Sequence, residues 1–126
     1  MGFRLDIDVK SNFYENRVVD YDATKPRWYG GKLYGYCGDE KSLKSGQYLI
    51  EIGKLEKDKH YLWTYCCIPD IELTPQQCEI FCKLYIEDVI EKWNFTEKEA
   101  EEYRKNQLEE LDKLVKYGEN VILWWG

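Results

Sequence analysis

At 126 residues and 44% apolar, the chain is sized for one α+β domain spanning 1–126, with a core large enough to do without disulfides or metal. Eleven Tyr and five Trp against one Met supply many side chains with an apolar body and a hydrogen-bonding tip, suited to cores and binding surfaces alike. The net charge of −6 is uneven: residues 1–69 sum to +1 and residues 70–126 to −7, which disfavours direct nucleic-acid or membrane binding and favours a basic partner.

Phe3, Leu5, Ile7 and Val9 alternate with Arg4, Asp6, Asp8 and Lys10, the period of a strand with one wet face. Residues 11–31 read as loop, with a short strand around Arg17–Tyr21 and a turn marked by Pro26 and Gly30-Gly31. A second main strand is expected over Lys32–Cys37. Within Ser42–Lys54 the spacing fits either a strand or a short helix capped by Ser42 and ended by Gly53; the helix is preferred. His60–Cys67 is rich in aromatic and β-branched residues and reads as a strand closed by Pro69.

Thr74-Pro75-Gln76-Gln77 is a capping box with proline at the first helical position. It predicts a helix to about Trp93 with Cys78, Phe81, Cys82, Tyr85, Ile86, Val89 and Trp93 on its buried face. Thr96-Glu97-Lys98-Glu99 is a second box, opening a helix buried along Ala100, Tyr103, Leu108, Leu111, Leu114 and Val115 and stopped by Gly118. The last residues, 121–126, are mostly apolar and read as a strand inserted into the sheet. The fold class is therefore α+β: a small, mainly antiparallel sheet packed on one face by a C-terminal helical pair, with a final C-terminal strand.

Cys37, Cys66, Cys67, Cys78 and Cys82 are odd in number and irregular in spacing, which points to reduced, buried thiols. The N-terminus has no apolar signal region, and Asp6 stands where a myristoylation motif needs Ser or Thr, so the cytoplasm is the expected location. Cys78 and Cys82 share the apolar stripe of their helix, and adjacent Cys66 and Cys67 would point to opposite strand faces, so packing accounts for them better than a zinc site. The single histidine, His60, lies too far along an extended strand from Cys66 and Cys67 to form a nucleophile–base pair. No catalytic set, metal or cofactor is assigned.

Three sites remain to be weighed. Ile80 and Leu84 lie off the main stripe beside Glu87 and Glu91: either a second layer covers them, or they form an apolar patch rimmed by acid for a basic protein partner or, as a variant, for a second copy in a homodimer. The segment 25–36 gathers Lys25, Arg27, Trp28, Tyr29, Lys32 and Tyr34, cations and rings that could hold a nucleotide, although it matches no phosphate-loop or dinucleotide spacing. Asp6 and Asp8 share a strand face and could hold a divalent ion for phosphoryl transfer, against the plainer reading that they are the wet side of the strand. The leading expectation is a non-enzymatic, acidic protein–protein interaction module. Small size, an acidic second half, tyrosine richness and the lack of a catalytic set give it the character of a phage or mobile-element inhibitor of a basic, nucleic-acid-handling complex.

Overall fold

A computed structural model describes residues 4–13, 22, 24–32, 43–57 and 69–125. In chain order these form β1 (Arg4–Val9), β2 (Arg27–Lys32), α1 (Lys44–Glu51), β3 (Ile71–Leu73), α2 (Pro75–Lys92), α3 (Glu97–Lys116) and β4 (Val121–Trp125). The strands make one antiparallel sheet in the order β2-β1-β4-β3, so the C-terminal strand lies inside the sheet between β1 and β3. That place explains the apolar run of β4: an inner strand with Val121, Ile122 and Leu123 all buried has no water to face.

Registers sort the two sheet faces. Ile7 stands opposite Trp28 on one side and Leu123 on the other, and Val9 opposite Val121. With Ile71 and Leu73 these side chains form the face on which the helices lie. Phe81, Cys82, Tyr85 and Val89 of α2, with Leu111 and Leu114 of α3, complete that core. Trp28 sits at its centre, edge-on to Tyr85 at 6.2 Å between ring centroids, and its indole N–H donates to the Gln107 carbonyl.

Both capping boxes form as their sequences require. The Thr74 hydroxyl accepts from the Gln77 N–H while the Gln77 side chain takes the Thr74 N–H, and Thr96 and Glu99 repeat the exchange. Asn94 takes a φ of 49° just beyond α2, and Gly118 a φ of 81° beyond α3. α1 is a helix, as preferred, and Gly53 follows it at φ 78°. Its start differs from expectation. The N-cap position is Leu43, which has no capping side chain. Instead the buried Asp88 carboxylate of α2 accepts the Lys44 and Ser45 N–H groups and the Ser45 hydroxyl, capping α1 from another helix.

Other expectations need correction. Gly30-Gly31 do not turn the chain; they lie within β2, which begins five residues before the strand expected at Lys32. A Cβ on Gly30 would stand 2.6 Å from the Tyr85 ring and 2.7 Å from Trp28, so this glycine is required by helix-on-strand packing. The β1–β2 register also slips between Arg4 and Asp6, a bulge that the glycine pair accommodates. The three-residue strand β3 is an addition to the strands expected. Trp93 and Leu108, placed on buried stripes by periodicity, are 43% and 40% exposed. Asp6 and Asp8 are not on a wet face: both are buried. β1 is an inner strand flanked by Arg27 and Ile122 at Asp8, and Phe13, from a helical turn at 10–13, packs on Trp124 across the same side of the sheet. The expected strands at Arg17–Tyr21, over most of Lys32–Cys37 and at His60–Cys67 lie outside the described residues, as do Ser42, Cys37, Cys66 and Cys67.

Candidate functional site

The outer side of the helical hairpin carries the first group of candidate residues. α2 and α3 run antiparallel, tied across by Arg104, whose Nε and Nη2 each reach a Glu87 carboxylate oxygen at 2.7 Å. That guanidinium holds the Glu87 carboxyl below its usual range. Glu87 is thus a clasp between helices, and its charge is compensated where it stands. On the outward side of α2, Ile80 is 47% exposed, Leu84 half-buried and Glu91 exposed.

Beside this strip, between the two helices, an open groove of about 620 Å³ is floored by Leu108, Leu111 and Val115. Its α2 wall is Glu79 and Lys83, paired at 3.0 Å; its α3 wall is Lys105, Glu109 and Asp112, with Asp112 paired to Lys116 at 2.9 Å. Helical spacing produces this. Positions 108, 111 and 115 repeat at i, i+3, i+7, so they make a continuous apolar seam, and the charged positions fall on either side. Leu108 has the period of a core position, yet it lies at the surface, 40% exposed.

The second group lies on the sheet face away from the helices. Asp8 and Arg27 are cross-strand partners, with Arg27 Nε 3.0 Å from an Asp8 carboxylate oxygen. The Asp8 side chain is fully buried, yet neither oxygen receives an aligned hydrogen bond among the described residues. The contact is one of charge against charge. Burial pushes the Asp8 carboxyl up to about 6, with Arg27 opposing and neighbouring Asp6 assisting. The Arg27 guanidinium also lies over the Tyr29 ring, 4.9 Å from its centroid. Lys25 reaches the Ser11 hydroxyl at 3.2 Å.

The segment 25–36 is therefore divided. Trp28 belongs to the core and has no face to offer a ligand, while Tyr29 is 39% exposed on the opposite side of the strand. Lys32 is the last residue of β2, and Tyr34 lies outside the described residues. Gln107 and Tyr103 of α3 further close this strand by donating to the Tyr29 and Gly30 carbonyls.

Searches against protein-family models, curated proteins and solved structures return no match for this chain. Among the described residues, no three His, Cys, Asp or Glu side chains gather as a metal-ligand set. Arg27 already places a positive charge against Asp8, where a bound cation would have to compete with it. Cys78 and Cys82 are buried with sulfurs 3.8 Å apart, and burial raises the Cys82 thiol well above its usual range, so it is held in the unreactive neutral form. His60 lies outside the described residues. No helix among those residues is long and apolar enough to cross a membrane.

Proposed function

We propose that this protein is a non-enzymatic interaction module that binds a protein partner with a basic surface on the outer side of the α2–α3 hairpin. The observation that carries this reading is the company kept by Ile80 and Leu108. Both are large apolar side chains left at the surface, 47% and 40% exposed, Ile80 on α2 and Leu108 in the groove between α2 and α3, and both lie on the half of the chain that sums to −7. Apolar anchors give an interface its affinity, while the surrounding acid selects a basic partner and speeds its approach. An inhibitor of a basic, nucleic-acid-handling complex is the specific form favoured, because such an acidic hairpin would occupy a surface that otherwise faces phosphate.

The nucleotide reading has less to draw on, since the Trp28 ring is committed to the core and Arg27 to Asp8. The test is affinity capture from the native host, run in parallel with wild-type protein and an Ile80→Asp/Leu108→Asp variant of unchanged circular dichroism. A protein retained by the wild type at low salt, released as salt rises and absent from the variant eluate is the expected result. Equal recovery on both columns would contradict the proposal.

A further inference from the structure

We draw no further inference here: the strongest candidate, the open groove between α2 and α3, belongs to the surface already described, and with its carboxylates at Glu79, Glu109 and Asp112 matched by Lys83, Lys105 and Lys116, nothing in the structure shows what covers it.

Discussion

Asp8 is where side-chain chemistry and folding conflict most. A fully buried carboxylate beside one guanidinium, with no aligned hydrogen bond among the described residues, is costly in its charged form. Its folded pKa, about 6, lies above the unfolded value of 3.8, so the folded protein holds the proton more tightly. Between those two values the native state binds more protons than the unfolded chain, and stability falls as pH rises; above about 6 the whole penalty is present, with a ceiling of about 3 kcal/mol. Glu72 and Glu87 act in the opposite sense, because their lowered pKa values make stability fall as pH falls. The comparison must therefore be between proteins. Denaturation midpoints of wild type and Asp8→Asn across pH 4 to pH 7 should diverge in slope below about pH 6 and run parallel above it; parallel lines throughout would show that Asp8 keeps its ordinary titration. The period-two pattern of β1 correctly located its core face through Leu5, Ile7 and Val9. It could not tell that the other face is covered as well, because alternation records side-chain type and not what the rest of the chain lays over it.

At the scale of elements, what was legible was local. Capping boxes at Thr74 and Thr96 and the glycine stops at Gly53 and Gly118 depend on a few adjacent residues, and each appears where the sequence places it. What was missed depends on contacts distant in the chain. Gly30 reads as a turn residue, yet it is a strand residue whose missing Cβ makes room for Tyr85, far along the sequence. Leu108 has the period of a core position and stays 40% exposed. The start of α1 is another such case, since its cap is supplied by Asp88 on α2. Asp88→Ala should therefore unfix α1 as well as remove hydrogen bonds to a charged group, at a cost of about 2 kcal/mol or more. Hydrogen exchange should speed up in residues 44–51 with α3 unaffected; an unchanged α1 would show that the helix does not need this carboxylate.

For the whole molecule, the division of labour is between the two sides of the hairpin. Its inner side closes the sheet core through Tyr85, Phe81 and Leu114, while its outer side carries Ile80, Leu108 and the charged walls of a groove whose floor reaches the core at Leu111. The charge asymmetry legible in the sequence motivates the proposal of a basic partner, and of the two apolar positions singled out on α2, Ile80 is exposed and Leu84 half-buried. The groove itself is lined by residues of both helices, far apart in the chain, and periodicity within one helix does not show which residues of the other stand beside it. Glu87, read from the sequence as rim acid, is 40% exposed and paired with Arg104 across the hairpin. Hydrogen–deuterium exchange of the protein with its captured partner tests this most directly. The account predicts slowed exchange along the outer stretches of α2 and α3, around residues 79–84 and 105–115, with β2 unchanged. Slowed exchange confined to residues 25–32 of the β2 segment, with the hairpin unaffected, would contradict it.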